Sequence, residues 1–169
     1  HPNIVRGIEW IEQNGTGYLV MNYVSGKNLH ELLRVRSGSG GFEVSPQSMK
    51  ELLGPILNGL SELHRHNILH GDIKPDNIFM GVGYQPILID LGSARIKNPA
   101  LGWEEAATFY PHFAAIEQYD SDFGELGPWT DIYQISAVAY RCITGGKIPE
   151  SIERAKSSSD PYFPLVEID

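Results

Sequence analysis

The run His70-Gly71-Asp72-Ile73-Lys74-Pro75-Asp76-Asn77 sets out an Asp, a Lys and an Asn, and Asp90-Leu91-Gly92 adds a second Asp thirteen residues after Asn77. These types suit phosphoryl transfer. That reaction needs positioning, metal ions and charge neutralisation more than it needs covalent help from the protein. Asp72 could accept the proton of an attacking hydroxyl. Lys74, two residues on, could set a cation on the moving phosphate. Asn77 and Asp90 offer oxygen ligands of the hard type that Mg²⁺ prefers.

The elements around these residues must bring them together. Two short strands are predicted at 77–80 and 86–90, with a turn at 81–84. As a hairpin they would place Asn77 near Asp90. Upstream, apolar-rich runs at 8–11 and 17–24 flank Asn14-Gly15, which favours positive φ and so predicts a β-hairpin. Ser25-Gly26 breaks the second strand, and Leu29, Leu32 and Leu33 suit a short helix. Residues 37–41, rich in Gly and Ser, are expected to be a flexible loop. Ser45 and Pro46 mark a helix start. Met49, Leu52, Leu53, Ile56, Leu57, Leu60 and Leu63 then continue at helical spacing to about His66, with Gly54-Pro55 as a site for a kink. Residues 93–128 show no periodicity and predict a long ordered loop with short helical pieces. Thr130 is placed to cap an apolar, buried helix from Asp131 to about Thr144, ended by Gly145-Gly146. The tail around 157–161 reads as loose.

Composition narrows the classes. The 169 residues are 41% hydrophobic and 20% charged, as in an ordinary soluble globular domain. A formal net charge of −8, from 13 basic and 21 acidic residues, argues against nucleic acid or an anionic membrane as the main partner. No apolar stretch approaches the roughly 20 residues needed to span a bilayer. The single cysteine, Cys142, lies in an apolar run, reads as a buried structural thiol and fits a reducing, cytoplasmic setting. The start at His1 has no Met and no signal-peptide pattern, which suggests an excised piece.

Taken as a set, these motifs resemble the protein kinase family, and its bacterial serine/threonine branch in particular. The catalytic loop H-R-D-x-x-x-x-N is matched by His70-Gly71-Asp72 through Asn77, and D-F-G by Asp90-Leu91-Gly92. A degraded A-P-E appears as Ala115-Ile116-Glu117, and Gly127-Pro128-Trp129-Thr130-Asp131 is similar to a run common in bacterial members. His1-Pro2-Asn3-Ile4-Val5 is similar to the segment just after the family's helix αC. The resemblance covers nearly the whole chain, in the family's order.

It implies an α+β kinase-like fold: a mainly α-helical C-lobe plus a terminal hairpin of the N-lobe sheet. Residues 1–24 would be the N-lobe remnant and hinge, and 25–169 a C-lobe truncated before its final helices. It implies ATP and Mg²⁺ as cofactors and a protein as substrate. Asp72 would be the catalytic base, Lys74 the γ-phosphate contact, and Asn77 and Asp90 the magnesium ligands. Met21 would be the gatekeeper, Asn22 and Val24 would hold adenine through backbone groups, Phe79 would floor the adenine, and Asn28 would meet ribose. His70, Gly92, Glu117 and Asp131 would be structural supports, with Asp131 bracing the catalytic-loop backbone. Met21 and Phe79 also suit plain core packing. His64, His66 and His112 read as surface or loop residues, and His70 as packed.

Several departures stand out. Gly71 replaces the Arg that receives an activation-loop phosphate in the family. Tyr110 stands where serine/threonine members usually have a Thr contacting the Asp and Lys, with Thr108 nearby but out of register. Leu91 replaces Phe. The Gly-rich phosphate loop, the strand lysine and its αC Glu partner would lie upstream of His1, and the Arg partner of Glu117 beyond Asp169. The 169 residues alone are therefore expected to bind ATP poorly and to have little activity. Two alternatives remain open: a pseudokinase acting as a binding or regulatory module, and a small-molecule phosphotransferase of the aminoglycoside or choline kinase type. The latter often read H-G-D but usually lack a Lys two residues after the Asp.

Overall fold

Two helices carry the core, and the rest of the chain is laid against them. In the computed structural model, which describes residues 1–35, 41, 44–98, 100, 102–103, 109–162 and 165, α2 (Pro46–Arg65) and α3 (Pro128–Thr144) pack together. Leu52, Ile56 and Leu60 of α2 meet Ile135, Val138 and Cys142 of α3 in one apolar cluster. Leu29 and Leu32 join it from α1 (Leu29–Arg34), as do Ile73, Ile78 and Leu88. Removing this much aliphatic surface from water is the main stabilising term of the fold.

Local chemistry explains the helix bounds. Ser45 sits in extended backbone and its Oγ accepts the Ser48 N–H at 3.1 Å, with Pro46 at the first helical position. Helix α2 then runs as one element through Pro55, with no break at Gly54-Pro55. Asn28 caps α1: its Oδ1 accepts the Glu31 N–H at 2.8 Å while Glu31 Oε2 accepts the Asn28 N–H at 3.0 Å. Gly145 ends α3 in the left-handed region at φ 61°, as its type predicts.

The start of α3 differs from expectation. The helix begins at Pro128, three residues before Asp131, with Gly127 as its cap. Proline is preorganised for the first helical turn. Thr130 lies inside the helix instead: its Oγ1 accepts the Gly127 N–H at 3.2 Å and donates to Glu117 Oε1 at 2.7 Å. A second short helix, α4 (Ser151–Lys156), precedes the expected loose tail.

Among the described residues, three small antiparallel sheets complete the fold. Strands β1 (Gly7–Gln13) and β2 (Thr16–Met21) form the expected hairpin, with Asn14 and Gly15 at φ 55° and 70° in its turn. Both strands are exposed along their whole length. Strands β3 (Lys27–Asn28), β5 (Ile78–Met80) and β6 (Pro86–Leu88) make a three-stranded sheet in that order, pairing Asn28 with Phe79 and Ile78 with Leu88. Strand β4 (Ile68–Leu69) pairs with β7 (Arg95–Ile96). The N-terminal segment clips onto β6: Val5 N–H donates to Leu88 O, Leu88 N–H to Asn3 O, and Asn3 Nδ2 to Pro86 O, each at 2.8 Å. Ile4 then lies against Gly59 of α2, where an added Cβ would come within 2.9 Å of Ile4 Cδ1.

The α+β expectation holds. Residues 109–127 form an ordered loop with single turns at Ile116–Gln118 and Ser121–Phe123, as foreseen for 93–128. The expectations for Thr108 and for most of the 37–41 loop lie outside the described residues.

Candidate active site

The loop between β4 and β5 carries the candidate residues Asp72, Lys74 and Asn77, and its backbone is fixed from below by α3. Asp131 is fully buried. Its Oδ2 accepts the His70 N–H at 3.0 Å and its Oδ1 the Gly71 N–H at 2.8 Å. One turn on, Gln134 Oε1 accepts the Ile73 N–H at 2.9 Å, and Gln134 Nε2 donates to Gly71 O at 3.0 Å. Residues i and i+3 share a helix face, so Asp131 and Gln134 present adjacent acceptors to successive peptides of the loop. Gln118 Nε2 adds a second donor to Gly71 O at 2.9 Å, and Gln118 Oε1 accepts from Gln134 Nε2 at 2.8 Å. Gly71 itself takes φ 74°, a region open to glycine at little cost.

His70 packs beneath the loop with no exposed surface. Its Nε2 lies 3.0 Å from Ile89 O and its Nδ1 accepts the Asp72 N–H at 3.3 Å, which fixes the Nε2–H tautomer. Burial pushes the imidazole below the usual histidine value, against smaller opposing pulls from Asp131, Asp72 and Asp90. His70 is therefore a neutral spacer that ties the loop to the end of β6.

On the upper side, three of the candidate side chains converge. Lys74 Nζ lies 2.6 Å from Asp72 Oδ2, and Asn77 Nδ2 donates to Asp72 O at 2.8 Å and to Asp72 Oδ2 at 3.0 Å. Asp72 and Asn77 are buried, and Lys74 is partly so. Asn77 thus uses its amide nitrogen on Asp72 and keeps Oδ1 for another partner. The hairpin brings Asp90 close, because Ile89 N–H donates to Asn77 O at 2.9 Å. Asp90 adopts φ 64°, is exposed, and accepts the Gly92 N–H through Oδ1 at 3.1 Å. The Asp90 carboxylate and Asn77 Oδ1 are both hard oxygen donors, the ligand type that a magnesium ion takes.

The other sequence-derived positions fall along the chain from β2 to β5. Met21 ends β2 and is 38% exposed, and Phe79 is half-buried on β5 rather than in the core. Asn22 N–H is engaged by Arg6 O at 2.9 Å. Among the described residues no hydrogen bond engages the Asn22 carbonyl or the Val24 N–H. Asn28 Oδ1 is committed to capping α1, which leaves Nδ2 as its free polar group. Glu117 forms no ion pair among the described residues, and its Oε1 accepts from the Thr130 hydroxyl at 2.7 Å. Gly92 lies in the turn Leu91–Ser93.

Sequence reasoning missed four contributors. Gln118 and Gln134 were passed over, although a Gln three residues after Asp131 on an otherwise apolar helix was a readable signal. Thr130 was read only as a cap. His64, expected at the surface, instead has an 85%-buried side chain with Nε2 2.7 Å from Asp131 Oδ2. His66 is exposed, as foreseen. Tyr110 places its ring 5.3 Å from Lys74 Nζ, a cation–π approach to the lysine of the cluster.

Comparison with known proteins identifies the architecture. The family model for the protein kinase domain matches residues 1–161. The chain belongs to the protein kinase family. It is 26% identical over 173 residues to serine/threonine-protein kinase pkn2 of Myxococcus xanthus, covering 95% of this chain and 20% of that protein. It is 31% identical over 168 residues to cyclin-dependent kinase-like 1 of Caenorhabditis elegans, covering 96% of this chain and 43% of that protein. It is 29% identical over 144 residues to serine/threonine-protein kinase Nek1 of Mus musculus, covering 85% and 12% respectively. The kinase chain thus spans less than half the length of these relatives.

Proposed function

We propose that the full-length protein is a serine/threonine protein kinase, transferring the γ-phosphoryl group of ATP to protein hydroxyls. The cluster of Asp72, Lys74 and Asn77, with Asp90 delivered beside it by the Ile89–Asn77 bond, carries this reading. Asp72 orients the attacking hydroxyl and takes its proton. Lys74 neutralises charge on the moving phosphoryl group. Asn77 Oδ1 and the Asp90 carboxylate would hold Mg²⁺, which would supply neutralisation of the phosphate charge. The Asn22 carbonyl and the Val24 N–H meet adenine, with Met21 and Phe79 bounding the ring and Asn28 Nδ2 reaching ribose. Asp131, Gln134, His70, Glu117 and Gly92 hold the geometry.

The test is the full-length protein incubated with γ-labelled ATP, Mg²⁺ and a protein extract. Label is expected in serine or threonine of proteins, and Asp72→Ala should cut turnover by about 10²–10⁴-fold. Label confined to small solutes would establish a small-molecule phosphotransferase instead.

One observation favours the pseudokinase alternative. Tyr110 lies over Lys74 in the place usual for Thr, and Lys74 is drawn tightly onto Asp72. Nucleotide binding without any transfer, unchanged by Asp72→Ala, is the outcome that reading requires.

A further inference from the structure

A cavity of about 550 Å³ opens directly beside Lys74, between the loop that carries it and the segment leading into α4. Its charges are unbalanced. Lys74, Arg141 and Lys147 line it against a single carboxylate, Asp76. Lys74 is neutralised by Asp72 at 2.6 Å. Asp76 faces His30 Nδ1 at 3.9 Å. Arg141 donates to Gly145 O, and to Gly146 O at 2.6 Å. Carbonyls fix a guanidinium without cancelling its charge. Lys147 is exposed and has no carboxylate partner among the described residues. Glu150 does not line the cavity but stands behind its His112 wall, Oε1 3.8 Å from His112 Nδ1 and Oε2 accepting from the Tyr119 hydroxyl at 3.1 Å. The His112 Nδ1 is buried in the cavity wall without a hydrogen-bond partner. Phe113 and Ile148, both buried, supply an apolar floor.

A local excess of cations in a chain of net charge −8 attracts an anion rather than a general polyanion. Lys74 is shared between the cavity and the Asp72 cluster. A peptide whose hydroxyl reaches Asp72 therefore runs past this cavity. Extended chain advances roughly 3.3–3.6 Å per residue, so the side chain that enters belongs to a near neighbour of the acceptor. We infer that the cavity is an anion-accepting subsite of the kinase, with Lys147 and Arg141 selecting substrates that carry a carboxylate or phosphate side chain close to the phosphorylated residue. This rests on the protein-kinase reading above and adds to it the class of protein substrate.

The full-length protein is offered otherwise identical Ser-containing peptides with Asp, phosphoserine, Ala or Lys in the positions flanking the acceptor. Both label transfer and binding of fluorescent peptides by anisotropy are measured. Acidic or phosphorylated peptides should be preferred over the Ala peptide on one side of the acceptor, and the two acidic arms separate carboxylate from phosphate recognition. In Lys147→Glu the acid-to-Ala preference should fall by a factor of about 3–10, as for a partly exposed charge pair. Lys50→Glu, an exposed change on α2, should leave that preference in place and so excludes a net-charge effect. Transfer to all peptides without acid preference, or a preference untouched by Lys147→Glu, overturns the subsite and leaves the kinase reading standing. Acid-selective binding lost in Lys147→Glu without transfer to any peptide supports the subsite and overturns the transfer reading. Neither transfer nor selective binding overturns both.

Discussion

Asp131 touches no solvent, yet it accepts two backbone N–H groups and lies against an imidazole. Removing its carboxylate strands two buried donors, each costing about 1–3 kcal/mol. Asp131→Ala should therefore lower unfolding stability by about 2–5 kcal/mol in urea titrations. An unchanged midpoint would show that the loop finds other acceptors. His70 gives a pH signature with a definite sign. Its folded pKa is lowered by burial, so the unfolded chain binds the extra proton first. Stability contributed by neutral His70 is fully present above the unfolded value near 6.5 and is lost as pH falls below it. Urea midpoints should drop from pH 7.5 to pH 5.5, with a shallower drop in His70→Asn. At this scale the sequence was partly legible. Asp72, Lys74, Asn77 and Asp90 sit close along the chain, so spacing alone grouped them. His64 and Gln134 act across 67 and 61 residues of chain, and no local pattern encodes such a contact.

At the level of elements, the loop from His70 to Asn77 is held in a shape that one residue permits. Gly71 has φ 74°, and a Cβ there would lie 3.2 Å from Ser93 O. Gly71→Ala should cost about 1–2 kcal/mol from the left-handed backbone alone, read by urea titration, and should lower turnover of the full-length protein further by displacing Asp72. Loss of turnover without loss of stability would mean that strain is absorbed within the loop. Helix and hairpin bounds were legible wherever a residue has one job. Ser45, Asn14-Gly15 and Gly145 each have a strong backbone preference that nothing opposes. Thr130 has two uses, and a hydrogen bond to Glu117 outweighed a capping role that Pro128 made unnecessary. The six-residue α4 and the two-residue β4 and β7 are too short for any period to show, and packing creates them.

Across the whole molecule, stability is unevenly spread, and Cys142 can report on it. The β1–β2 hairpin exposes Trp10, Tyr18 and Leu19 and draws little from the core, whereas α2 and α3 enclose most of the buried aliphatic surface. Cys142 lies in that interior at 3% exposure, and desolvation pushes its thiol up to about 12, with Arg141 only partly opposing. At pH 8 roughly 10⁻⁴ of such a thiol is ionised, against about a quarter of a free one with pKa 8.5. A thiol reagent should therefore label native protein very slowly and unfolded protein at once. Because the reagent must wait for α3 to leave α2, the labelling rate measures opening of the core. Asp131→Ala should then raise the rate by about tenfold for each 1.4 kcal/mol it removes. The two numbers must agree if the loop from His70 to Asn77 and the helical core open together. A labelling rate that stays at the parent value while the urea midpoint falls would show that the loop unfolds separately from the helices beneath it.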